Sequence, residues 1–135
     1  MPFIAWNENY SVKVAEIDLQ HQGLVNLINT LFDAMKEGKS KQVMGDVIMQ
    51  LATYAQTHFS TEEQHFDRCG YPLAKVHKRE HSDFVAKVTE FKKGFDAGNI
   101  ALSIELMNFL KDWLLTHILD SDKKYMKCFG EHGIQ

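Results

Sequence analysis

Cysteine is scarce in this chain. Only Cys69 and Cys128 occur among 135 residues, far apart and outside any C-x-x-C unit. Such spacing excludes a thioredoxin-like redox motif and a cysteine-built zinc module, and it predicts two unpaired thiols in a reducing compartment. Proline is as rare, with Pro2 and Pro72 alone, so long stretches are free to stay helical. No apolar run approaches the roughly 18 residues that span a bilayer, which predicts no membrane partner. The start of the chain, Met1-Pro2-Phe3-Ile4-Ala5-Trp6, has no basic region followed by an apolar stretch. No signal peptide is expected there, and the cytoplasm is the expected location. Charge of one sign is also missing. Fifteen basic and 18 acidic residues leave a net charge of -3 with no basic patch, so nucleic acid is not an expected partner. No repeat or low-complexity segment appears.

Histidine, by contrast, is well supplied and ordered. His21, His58 with Glu62, His77 with His81, and His117 with Asp122 all carry metal-ligand chemistry. Five imidazoles and two carboxylates are too many for one ion and suit two ions that share carboxylates. Apolar residues at 44% are enough for one domain with a real core. Glycine punctuates the chain sparsely at Gly38, Gly70 and Gly98, each followed by Ser40, Pro72 or Asn99. These are helix stops followed by starts. They predict helices over about 19–37, 41–69, 72–97 and 100–128. Residues 1–17 read as an extended arm packed across the bundle through Phe3, Ile4 and Trp6, and 130–135 as a tail. Short connections make neighbouring helices antiparallel. The expected fold is all-α: an up-down-up-down antiparallel four-helix bundle with an N-terminal arm.

Apolar residues recur at helical spacing, and the candidate ligands continue the same stripes. Leu24, Ile28, Leu31 and Met35 form one; Val47, Leu51 and Tyr54 lead to His58 and Glu62; His77 and His81 lead to Phe84, Val88, Phe91 and Phe95; Leu106, Leu110 and Trp113 lead to His117. His21 and the His77–His81 pair lie near the starts of helices one and three. His58–Glu62 and His117–Asp122 lie toward the ends of helices two and four. An antiparallel bundle brings all seven to one end of the core. A lone histidine on an apolar face is ordinarily a satisfied core residue, but pairs four apart point the same way and reach one ion. A buried polar network without metal is the competing reading. His65 and His132 fall outside the pattern and are expected at the surface. His117 and Asp122, five apart, stand about 140° apart on an ideal α-helix. They converge only through a π-type turn or a break near Leu119-Asp120-Ser121. Otherwise Asp122 is a surface acid beside Lys123 and Lys124, and spacing leaves both readings open. Imidazole with carboxylate suits iron, manganese or zinc, and ligand type does not choose among them.

The pattern resembles the hemerythrin family. The segments that carry it are Ile17-Asp18-Leu19-Gln20-His21, His58-Phe59-Ser60-Thr61-Glu62-Glu63, His77-Lys78-Arg79-Glu80-His81, and Trp113-Leu114-Leu115-Thr116-His117-Ile118 with Asp122. Trp6 and Tyr10-Ser11-Val12 look like the arm of bacterial members. The likeness spans essentially the whole chain as one domain, 1–135, with the bundle over 18–129. It implies two irons joined by an oxo or hydroxo bridge. His77, His81 and His117 would hold one iron, His21 and His58 the other, and Glu62 and Asp122 would bridge both. The first iron then has six ligands and the second five, leaving one position open to dioxygen. Leu24, Val25, Ile28, Trp113, Leu114 and Ile118 are the expected apolar wall of that pocket, although ordinary core residues would look the same. Asp18 and Glu63 are candidates to orient ligand imidazoles, with an N-cap the other role for Asp18.

The resemblance implies a non-enzymatic dioxygen carrier or store. A diiron oxidase, peroxidase or nitric-oxide-handling enzyme is the alternative. Ferritin-like diiron enzymes use two Glu-x-x-His units, and this chain has one, Glu62 to His65. A third reading is an oxygen sensor acting through a separate partner. With no large apolar face evident, the expected state is a monomer.

Overall fold

A computed structural model describes residues 4–98 and 102–134. Helix α1 spans Ala15–Lys36, α2 Ser40–Cys69, α3 Ala74–Asp96 and α4 Leu102–Trp113. The fourth arm of the bundle then changes winding. A π-helix runs over Leu114–Ser121, a 3-10 turn over Asp122–Tyr125, and a short helix α5 over Met126–Glu131. Helices α1 and α2, α2 and α3, α3 and α4, and α1 and α4 pack as neighbours, which closes a four-helix bundle. Among the described residues there is no strand.

The helix ends follow the punctuation. Gly70 takes the left-handed conformation (φ 66°), and its N–H and that of Tyr71 both reach the Phe66 carbonyl, at 2.9 and 3.2 Å. Such an end needs a residue without a Cβ. Helix α3 starts two residues later than its spacing predicts. Tyr71, Pro72 and Leu73 are spent on a turn that Ala74 N–H closes onto the Tyr71 carbonyl. Helix α1 begins earlier than predicted, at Ala15, so the arm is shorter.

The arm is not uniformly extended, because a 3-10 turn occupies Glu8–Tyr10. It is nevertheless fastened. Ile4 exchanges two 2.8 Å hydrogen bonds with the Asn29 side chain, and Ile4, Trp6 and Tyr10 pack against the main core. Phe3 and Asn99 lie outside the described residues. Asp18 turns out to serve the arm rather than the metal site. Its carboxylate accepts from Ser11 Oγ (2.6 Å) and Val12 N–H (2.8 Å), while Val14 is the residue before α1.

The stripes pack as their period implies. Leu24, Ile28, Leu31, Val47, Leu51, Phe84, Val88, Phe91, Leu106, Leu110 and Trp113 are all buried in one cluster. A second apolar cluster closes the far end, built from Val12, Val14, Ile17, Phe66, Tyr71, Tyr125, Phe129 and Ile134. The expected tail therefore contributes to the core: α5 carries Phe129 inward, and Ile134 N–H bonds back to its carbonyl at 2.9 Å. The expectation of two unpaired thiols is overturned here. Cys69 at the end of α2 and Cys128 in α5 form a disulfide, with Cα atoms 6.0 Å apart. Sequence distance hid this, because α5 folds back beside the end of α2 only once the fourth arm is packed.

Candidate metal centre

Between the two apolar clusters lies one polar layer. His21, His58, Glu62, His77, His81, His117 and Asp122 are all buried, with at most 2% of any of them exposed. Each is placed by its helix: His21 by α1, His58 and Glu62 by α2, His77 and His81 by α3, His117 by the π-helix and Asp122 by the turn after it. The π-helix resolves the five-residue spacing. Its wider turn sets the Asp122 N–H on the His117 carbonyl and brings both side chains inward.

The inward atoms converge closely. Glu62 Oε1 lies 3.0 Å from His81 Nε2 and 3.3 Å from His58 Nε2. Asp122 Oδ1 lies 2.8 Å from His77 Nε2 and 3.0 Å from His117 Nε2, and its Oδ2 lies 3.0 Å from His21 Nε2. His21 and His58 face each other with Nε2 atoms 3.0 Å apart. Two overlapping donor groups result, each within 4.8 Å: Glu62 with His77, His81 and His117, and His21 with His58, Glu62 and Asp122. Glu62 belongs to both. Asp122 touches histidines of both through its two oxygens.

These donors fit metal ions. Both carboxylate oxygens of Glu62 and of Asp122, and Nε2 of His77, His81 and His117, are buried without a hydrogen-bond partner. Buried polar atoms are rarely left so unless something else satisfies them. Donors bonded at ~2.1 Å to an octahedral ion stand ~3.0 Å apart, the separation seen here. The charges agree. Burial alone would raise Glu62, but the imidazoles of His58, His77 and His81 hold it well below the usual carboxylate range. Asp122 is likewise held low: burial and Glu62 work against this, and His117 and His21 prevail. Burial works against charge on His77 and His117 too, yet Asp122, with Glu62 for the first and Glu80 for the second, pushes each up to about 9. For His58 burial wins and its pKa falls. Without cations, protons on His77 and His117 face the two carboxylates.

Three of the outward ring nitrogens, those of His58, His81 and His117, are held by groups outside the layer, while His21 Nδ1 is buried without a partner. Glu63 accepts from His81 Nδ1 at 2.9 Å, as expected of it. Two further partners escaped the sequence reading. Gln20 Oε1 lies 2.6 Å from His58 Nδ1, and its amide is oriented by Nε2 donating to Thr61 Oγ1. Glu80 Oε1 lies 3.3 Å from His117 Nδ1 and accepts from Ser121 Oγ at 2.8 Å. Such contacts fix each tautomer with its Nε2 lone pair inward. The only signal was that Gln20 and Glu80 sit next to His21 and His81 in sequence. Aromatic rings wedge the imidazoles: Phe59 stacks on His81 and Trp113 on His117, each at 3.8 Å, and Tyr54 on His58 at 5.0 Å. The candidate pocket residues Leu24, Val25, Ile28, Trp113, Leu114 and Ile118 are buried in the adjoining cluster. His132 is exposed, as expected. His65 is not at the surface but half-buried against Phe129, and it stays outside both donor groups.

Comparison with known proteins agrees with this geometry. Residues 12–129 match the family model described as the hemerythrin HHE cation binding domain. The chain is 32% identical over 132 residues to a bacteriohemerythrin of Stenotrophomonas maltophilia (strain R551-3), covering 98% of this chain and 85% of that one. It is 33% identical over 125 residues to myohemerythrin-1 of Phascolopsis gouldii, covering 92% of each. A crystal structure of wild-type hemerythrin superposes with a TM-score of 0.83 at 29% identity, covering 93% of this chain and 97% of that one. A buried layer of five histidines and two shared carboxylates, inside a bundle that this family model spans almost end to end, places the chain in the hemerythrin family.

Proposed function

We propose that this protein binds dioxygen reversibly at a non-heme diiron centre, as a carrier or store rather than an enzyme. The observation that carries the reading is the asymmetry of the donors. Three imidazoles gather on one side of Glu62 and Asp122 and two on the other. In this reading His77, His81 and His117 would hold one iron, His21 and His58 the other, and Glu62 and Asp122 would be shared between them. The side with two imidazoles would offer one protein ligand fewer. When bound, two ferrous ions supply the electrons that capture dioxygen.

The chain's own residues do the rest. Gln20, Glu63 and Glu80 keep the imidazole lone pairs inward. Leu24, Val25, Ile28, Trp113, Leu114 and Ile118 keep bulk water from the open side. Histidine-rich ligation also suits reversible binding better than a carboxylate-rich centre would. Among the described residues no helix is long and apolar enough to cross a membrane. The same reading takes the chain as one domain over 1–135 and a monomer.

An oxygen cycle tests this. The iron-loaded protein, prepared without air, should develop a ligand-to-iron absorption band on exposure to dioxygen. The band should bleach when dioxygen is removed and return when it is readmitted. Loss of colour after one exposure, with release of hydrogen peroxide, would instead establish the oxidase alternative. Stoichiometric zinc in the native protein would end both readings.

A further inference from the structure

Tyr54 is the polar exception in the apolar layer beside the centre. It stands one turn before His58 on α2, and its ring stacks on the His58 imidazole at 5.0 Å with planes 15° apart. The ring also meets Phe59 and Phe84 edge-on at 6.0 Å. On its outer side the ring lines a groove of about 350 Å³ between α1 and α2, together with Gly23 and His58. The hydroxyl, however, is fully buried and has no hydrogen-bond partner. The phenol therefore points inward from the groove wall.

Among the described residues nothing accepts its proton. Neither Glu62 nor Asp122 accepts a hydrogen bond from it. Its neighbour is the buried Trp113 indole N–H, which faces the phenol oxygen as a donor. Trp113 can only donate, so the Tyr54 proton stays unspent. Phenylalanine would fill the same space without burying an unpaired hydroxyl, an arrangement that native cores avoid. Position tells what the group serves. Tyr54 lies on the two-imidazole side, against His58. The other unpaired buried phenol, Tyr125, packs against His77 on the three-imidazole side, 5.7 Å between rings.

We propose that Tyr54 donates a hydrogen bond to the ligand that occupies the open coordination position of the iron held by His21 and His58. This rests on the diiron reading above and adds a polar anchor to a largely apolar pocket. A ligand carrying negative charge, such as azide, is favoured there over a neutral one, because a charged acceptor strengthens the bond.

Azide is the probe. The oxidised, iron-loaded protein and its Tyr54→Phe variant are compared for iron content, azide affinity and the infrared asymmetric stretch of bound azide. The variant should keep two irons per chain. Its azide dissociation constant should rise about ten- to a hundredfold, the worth of one hydrogen bond to a charged acceptor. The stretch should shift, and its sensitivity to deuterium oxide should disappear. Unchanged affinity with an unchanged, deuterium-sensitive stretch would overturn the assignment while leaving the diiron reading intact. Loss of iron from the variant would overturn it as well, since the phenol would then support the metal site itself. Failure of the native iron-loaded protein to bind either azide or dioxygen would remove the reading beneath it.

Discussion

At the residue scale, what sets a candidate ligand apart from a bystander is whether its ring nitrogen meets the shared carboxylates. His117 has a buried, unbonded Nε2 and an outward Nδ1 facing Glu80. His65 shares α2 with His58 yet stands apart from both donor groups, half-buried against Phe129. Its own pKa is lowered, chiefly by burial and then by Arg68. Iron analysis should therefore find His117→Ala depleted of metal and His65→Ala still holding two irons per chain. Equal depletion in the two would mean that the inward assignment is wrong. The donors on this stripe were legible in the sequence, because Val47, Leu51 and Tyr54 run on to His58 and Glu62; His65, seven residues past His58, continues the same face, and only the packed helix end sets it against Phe129 instead. The outward partners were less legible. Gln20 and Glu80 are ordinary polar residues until a neighbouring helix brings His58 or His117 within reach.

At the element scale, the fourth arm is where local propensity yields. Helices α1 to α3 are regular, and their boundaries follow the punctuation closely. The fourth arm passes from α to π to 3-10 and back within thirty residues, Leu102 to Glu131. A π-turn costs backbone geometry and survives where function requires it. Here it lets one arm present His117 and Asp122 to the same layer. Inserting one alanine between Asp120 and Ser121 should swing Asp122 by about 100° around the axis. The expected result is loss of the paired iron centre with helix content nearly unchanged, read by metal analysis and far-ultraviolet circular dichroism. Retention of two irons would show that the π-turn is incidental. The five-residue spacing hinted at this break, but Asp122 beside two lysines read equally well as a surface acid. Only the packed arm decides that Asp122 is fully buried.

At the scale of the whole molecule, the polar layer divides two apolar clusters, so stability and metal content are linked. In the metal-free protein His77 and His117 titrate near 9, well above the ordinary histidine value of 6.5. A raised folded-state pKa stabilises fully below the unfolded value and is lost as pH rises through the folded one. The metal-free protein should thus lose stability between pH 6.5 and about 9. Iron replaces those protons, and its uptake should release them, so the loaded protein should show a much flatter profile. Thermal unfolding of both forms across this range checks it. A metal-free melting temperature that climbs through the window would contradict the protonated layer. The carboxylates act at the other end, because depressed Asp122 and Glu62 withdraw their contribution only as pH falls through their low folded values.

By itself the sequence determined the four long helices, the faces they bury and the convergence of His21, His58, Glu62, His77, His81 and His117 on one level of the bundle. These are consequences of period and order, which are local properties of a chain, plus one rule of antiparallel connection. Tertiary structure decided the rest: the Cys69–Cys128 disulfide, the attachment of Asp18 to the arm, the burial of Asp122, the partners of the outward nitrogens and the inward aim of Tyr54. Each depends on where a side chain from one helix ends relative to another. That distance is set by packing across the whole bundle and is written in no single segment.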